Sequence, residues 1–191
     1  MENKYDKVCA GVPVLERASA EVSAAAEVLV EVKVHLDALN RTRSGSKLAG
    51  TVLPDWSRYQ SLAPFSFATH FLPFFDSQRR KLEDSVRYKA LIPTEMVIGD
   101  SWSWRPENLN ASERANVVAT SFQALAESDT TRAGRDCAEY AYIKPLGIVL
   151  AHEGKNRVAL FKELSLPHIP ALVSNEGYPE AARIQIFELP G

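Results

Sequence analysis

The sequence predicts an α+β fold, and three observations carry the prediction. Valines alternate with polar residues at 28–36. Apolar residues recur with a helical period after Asn110. A continuous apolar run at 146–151 passes through a polar turn into a short helix and a further strand. At roughly 100–200 residues per domain, 191 residues make a single domain. That length buries enough surface to form a core without a disulfide or metal staple.

Taken in order, Val28, Val30, Val32, Val34 and Leu36 fall on one side of an extended chain. Glu31, Lys33 and His35 fall on the other, so 28–36 reads as a half-buried strand with His35 at the surface. The alanine-rich 18–26 reads as a short helix or as the start of the same strand. Polar residues at 40–46 make a turn, and 47–53 reads as a returning strand ended by Pro54. The aromatic stretch 55–73, with Trp56, Tyr59, Phe65, Phe67 and Phe71, is expected to pack against the core. A helix at 74–85 carries Arg79, Arg80 and Lys81 on a solvated face, and a strand at 86–92 follows.

Asn110 or Ser112 caps the next helix, whose apolar stripe is Val117, Val118, Phe122 and Leu125. The run 146–151 is a buried strand. A helix at 158–164 buries Leu160, Phe161 and Leu164 and stops before Pro167. Strands at 168–173 and 183–189 complete the pattern. The two strands on either side of the short helix read as a β-α-β unit.

Lys and Arg number 22 against 24 Asp and Glu, a net charge of −2, so no basic coat for nucleic acid is present and any phosphate contact must be local. Cys9 and Cys137 are too few and too far apart for a disulfide framework and suit a reducing cytoplasm. His35, His70, His152 and His168 are well separated, and no Cys/His group has zinc spacing. No apolar leader follows Met1, and no stretch approaches the roughly 18 apolar residues of a membrane span. Peripheral attachment to a membrane stays open.

Chemistry concentrates at the turn after the 146–151 strand, His152-Glu153-Gly154-Lys155-Asn156-Arg157. Gly154 permits a sharp turn. The helix that follows presents N–H groups without intrahelical partners and the positive end of its dipole, which together attract anions. Lys155 and Arg157 oppose that dipole, at a cost of about 0.3–1 kcal/mol each, which a bound phosphate would reverse. Asn156 can cap the helix or bond a phosphate oxygen, and Glu153 can hold Mg²⁺ or orient a water. On residue types alone, a phosphate site and a plain turn with two solvated cations stand level. The spacing matches neither the P-loop nor the dinucleotide fingerprint.

Gly154-Lys155-Asn156-Arg157-Val158-Ala159, followed by Lys162-Glu163-Leu164 and Ile169-Pro170-Ala171, resembles the ParB/sulfiredoxin superfamily. That family has an acidic residue, then Gly-x-x-Arg-x-x-Ala on an amphipathic helix, then Ile-Pro before a strand. The segment 90–100, Ala-Leu-Ile-Pro-Thr-Glu-Met-Val-Ile-Gly-Asp, and the helix at 111–127 are similar to the family's upstream pieces. The resemblance covers 86–189. It implies a mixed sheet with flanking helices over that core; residues 1–80, with the strands read at 28–36 and 47–53, are then an N-terminal extension packed on it within one domain.

Sulfiredoxins carry a catalytic Cys directly after the motif Gly, where this chain has Lys155, so sulfinic-acid reduction is not expected. Partition ParB proteins read Glu-Arg-Arg there and continue into a helix-turn-helix; here the residues are Lys155-Asn156-Arg157, and the 34 or so residues beyond leave no room for one. Site-specific DNA binding is therefore not expected, although Arg41, Arg43 and Lys47, like Arg79, Arg80 and Lys81, form local basic clusters.

The chain looks most like the plasmid fertility-inhibition proteins. That likeness implies an ATPase and metal-dependent DNase, with ATP and Mg²⁺ or another divalent metal as cofactors. Its target would be relaxase-bound DNA exported by a conjugative or T-DNA (type IV) transfer system. Its partner would be the coupling protein at the cytoplasmic face of the inner membrane. The alternative is a non-enzymatic inhibitor that occupies the coupling protein or the relaxase–DNA complex. Glu153, Lys155 and Arg157 are then the catalytic set, with Glu153 as the metal ligand. Gly154, Lys155, Asn156 and Arg157 form the phosphate cradle. Asp100 and Arg105, with Trp102 and Trp104 beside them, lie on a loop that faces the site in the resembled fold.

Overall fold

The structure is a computed structural model and describes residues 9–42, 63–75, 86–99, 108–130 and 137–179. The strands expected at 47–53 and 183–189, the basic cluster at 79–81, and Asp100, Trp102, Trp104 and Arg105 lie outside the described residues.

Among the described residues the fold is α+β, a five-stranded mixed sheet with helices on both faces. The elements are α1 (Ala20–Thr42), α2 (Pro64–Phe71), β1 (Arg87–Pro93), β2 (Val97–Ile98), α3 (Ala111–Glu127), β3 (Glu139–Ile143), β4 (Ile148–Glu153), α4 (Arg157–Glu163) and β5 (His168–Asn175). The strand order is β1-β5-β3-β4-β2. One face packs on α3, α4 and the stretch from Cys9 to Leu15; the other packs on α1 and α2.

The expected strand at 28–36 is instead the middle of α1, a 23-residue helix. Alanine is the best helix former, and the run Ala24-Ala25-Ala26 with Glu21, Glu27 and Glu31 outweighs the β-branched valines. The buried face repeats with helical spacing, Ala26, Val30, Lys33, Asp37, while Val28, Val32 and Val34 are exposed. A strand could not close the Lys33–Asp37 ion pair, which spans one helical turn. His35 is exposed, as expected, but its Nδ1 lies 2.9 Å from the Glu31 carbonyl on a helix rather than on a strand. The extension is thus helical in its described part, apart from one bridge between Val14 and Leu91 on the β1 edge.

Of the aromatic stretch expected at 55–73, Trp56 and Tyr59 lie outside the described residues; Phe67 is fully buried as expected and stacks on Phe71 with ring centroids 4.7 Å apart, while Phe71 itself stays exposed. The helix expected from Phe74 does not start there, because Phe74 has φ 66°, outside helical space, and the chain turns after α2. Asn110 does cap α3, through a reciprocal capping box with Glu113.

The strand expected at 146–151 begins two residues later, since a 3-10 turn at Lys144–Leu146 takes up Leu146. That turn folds β3 back against β4 as an antiparallel hairpin and fills the place beside β4. β5 lies on the far side of β3 and runs parallel to it, so β4 and β5 are neither neighbours nor parallel. The short helix therefore joins them across β3, and the expected β-α-β unit is not a parallel crossover. No helix among the described residues is long and apolar enough to cross a membrane.

Candidate phosphate site

β4 delivers the motif to the end of the sheet through a bulge. Tyr140 pairs with Ala151 and Glu139 with Glu153, which leaves His152 as the extra residue. His152 meets Phe65 edge-to-face, 5.6 Å between centroids, on the α2 side of the sheet. Glu153 ends exposed, opposite Glu139 in register. Glu139 is held by Arg87, 3.4 Å away, in a mostly buried ion pair. Glu139 and Arg87 carry no signal in the sequence, since only the strand pairing sets Glu139 opposite Glu153 in register.

Gly154 adopts φ 71°, and a Cβ there would stand 3.0 Å from that of Ala138. A side chain at 154 would be strained on both counts. The turn closes when the Arg157 N–H donates to the Gly154 carbonyl at 3.0 Å. This corrects the expectation of a fully open helix N-terminus, because one leading N–H is used by the turn itself. Asn156 makes no capping bond with its side chain, and its backbone is already helical, so it does not act as a side-chain cap. With a helix of seven residues behind it, the site rests on its side chains more than on a dipole. Lys155 and Arg157 are both half-buried there.

The second wall is Gly99, where β2 ends. A Cβ on Gly99 would lie 2.4 Å from that of Val158 and 2.8 Å from the Lys155 carbonyl oxygen. The two backbones touch only because Gly99 has no side chain. The segment 90–99 and the motif turn thus converge, although the loop that continues with Asp100 is outside the described residues. Helix α4 is fixed elsewhere too: Arg114 of α3 reaches Glu163 at 2.6 Å, and the Thr94 N–H bonds the Pro167 carbonyl at 3.0 Å.

Tyr140 is fully buried, and its hydroxyl has no hydrogen-bond partner among the described residues. Burial raises its pKa, while the Arg157 guanidinium pulls the other way. Burial likewise raises the pKa values of the free thiols Cys9 and Cys137. Neither thiol has the character of an activated nucleophile. A Tyr140→Phe substitution is expected to raise stability by about 1 kcal/mol in thermal melts, because it deletes a desolvated, unpaired hydroxyl without changing ring packing.

Lys162 lies on the far stretch of α4, half-buried beside a cavity of about 410 Å³ lined also by Glu27, Glu31, Thr94 and Glu95. It makes no ion pair among the described residues, and burial plus the nearby Lys33 ammonium lower its pKa to about 8. Between pH 8 and about 10.5 the unfolded chain holds a proton that the folded chain has released, so this group makes stability rise with pH across that window. Lys162→Met is therefore expected to stabilise the protein at pH 7, on the order of 2 kcal/mol. Melts of both proteins at pH 7 and pH 10 should show the advantage shrinking at the higher pH.

Among the described residues no three His, Cys, Asp or Glu side chains cluster as a ready-made metal site. Mg²⁺ is commonly held by one or two carboxylates together with substrate phosphates and water, and the exposed Glu153 can supply one such carboxylate, while Glu139 is engaged by Arg87. Compared with protein-family models, curated proteins and solved structures, the chain matches none.

Proposed function

We propose that this chain is a phosphate-handling enzyme, an ATP-hydrolysing, metal-dependent DNase that degrades DNA exported by a type IV transfer system. In this reading it is a fertility inhibitor of the oncogenic-suppression kind. The observation that carries the reading is the packing of Gly99 on the Lys155 carbonyl. It brings the two segments that resemble the ParB/sulfiredoxin superfamily to one place, around two cations and an exposed carboxylate.

Phosphoryl and phosphodiester transfer need mainly positioning and charge neutralisation. Lys155 and Arg157 neutralise phosphate oxygens, and Arg157 is tied to the turn through its own N–H. A bound phosphate offsets the mutual repulsion of these two half-buried cations, so the side chains favour the filled site. Glu153 would hold the divalent metal, and its exposed carboxylate is placed to orient an attacking water. Mg²⁺, when bound there, supplies further neutralisation of the phosphate charge. The coupling protein or relaxase selects the DNA, because a net charge of −2 gives the chain no general affinity for it.

The test is plasmid DNA degradation by the purified chain in Mg²⁺ and in EDTA, beside a folded Glu153→Gln variant. Cleavage that needs Mg²⁺ and falls at least a hundredfold in the variant supports the reading. If the wild type does not turn over and Glu153→Gln still blocks transfer in cells, the chain is a non-enzymatic blocker of the coupling protein or relaxase.

A further inference from the structure

We infer that Lys33 of α1 is a positioning residue for the phosphate turn and acts through Gly99; this rests on the reading just given. Lys33 and Asp37 are 1% and 0% exposed, yet both carry charge and pair with each other. Two charges are rarely taken out of water for stability alone, since an apolar pair of similar volume often serves as well or better. The Lys33 ammonium also donates to the Gly99 carbonyl at 3.1 Å, 66 residues away in sequence.

Gly99 in turn lies against the Lys155 carbonyl and Val158, with no room for a methyl group between them. The connection therefore runs Asp37, Lys33, Gly99, Lys155, from a helix outside the 86–189 core into the motif turn. Val30, Lys33, Asp37, Gly99, Val158 and Lys162 line a gap of only about 30 Å³ at this junction, space for about one water. A lysine suits this role because its ammonium has three donors, enough to serve the carboxylate and the carbonyl together. The pair holds Gly99, at the end of β2, against the Lys155 carbonyl.

The decisive experiment uses the full chain with the double substitution Lys33→Met and Asp37→Leu, which removes both charges and keeps an apolar contact. It is expected to melt close to wild type. Amide hydrogen exchange over 154–158 should accelerate at least tenfold, with exchange in α3 and β5 unchanged. ATP affinity should fall about tenfold. Gly99→Ala, which pushes the two backbones apart from the other side, should produce the same local acceleration and covers the case in which the double variant does not fold. Unchanged exchange at 154–158 in a folded variant of either kind overturns the inference. If the wild type binds no ATP, the enzymatic reading fails, and the exchange data still decide whether Lys33 positions the turn.

Discussion

An Arg157→Ala variant is expected to retain its fold and to lose about 10³ in ATP or DNA hydrolysis rate, roughly 4 kcal/mol of transition-state stabilisation. The prediction follows from where Arg157 sits. Its backbone N–H closes the Gly154 turn, and that bond survives truncation of the side chain, so the turn keeps its shape. Its guanidinium opposes the helix dipole and, at a distance, the raised pKa values of Tyr140 and Cys137. A side chain kept in this position only for stability would give a melting shift and little else. One that neutralises a phosphate in flight gives a kcat loss with a small melting shift. A Lys at 157 would restore charge but not the bidentate fork, and should recover only part of the rate. Steady-state kinetics on the three proteins, with melting curves alongside, check the expectation.

An Asp37→Ala variant has the largest expected effect on stability. Asp37 is wholly buried, and its removal leaves the Lys33 ammonium with the Gly99 carbonyl but without its carboxylate. Breaking one side of a buried pair typically costs about 3–5 kcal/mol, a large part of the 5–15 kcal/mol that stabilises an ordinary domain. For a chain of this length that is a fall in melting temperature of roughly 6–20 °C. The Lys33→Met, Asp37→Leu double variant should recover most of it. Differential scanning calorimetry of the single and double variants separates the cost of breaking the pair from the value of the pair.

Much of the second half of the fold was legible in the sequence. The apolar run entering β4 and the Asn110 cap of α3 are local signals that decide those elements, whereas α4 ends at Glu163 through a left-handed Ser165, ahead of the expected stop at Pro167. The turn at 153–157 was legible for the same reason, as a glycine between a strand and a helix flanked by two cations. The α1 region was misread because two periods coexist there. The valines alternate every second residue, but Ala26, Val30, Lys33 and Asp37 repeat as a helix does, and the helical set is the one the sheet buries. Lys33 falls on the polar side of the alternation, and its four-residue spacing to Asp37 is the signal that points to a helix. Glu139 beside Glu153, the His152 bulge and the Gly99 contact depend on strand register and on approach between distant segments. No local pattern encodes these.

The claim at the centre of this account is that the turn from Glu153 to Arg157 receives a phosphate. Titrating the full chain with ATP while following backbone amide resonances tests it most directly. Phosphate binding at this turn should give saturable shifts confined to 153–157 and Gly99, lost in Arg157→Ala and weakened by raised salt. Shifts that saturate elsewhere, or a turn that does not respond in the folded protein, would contradict it.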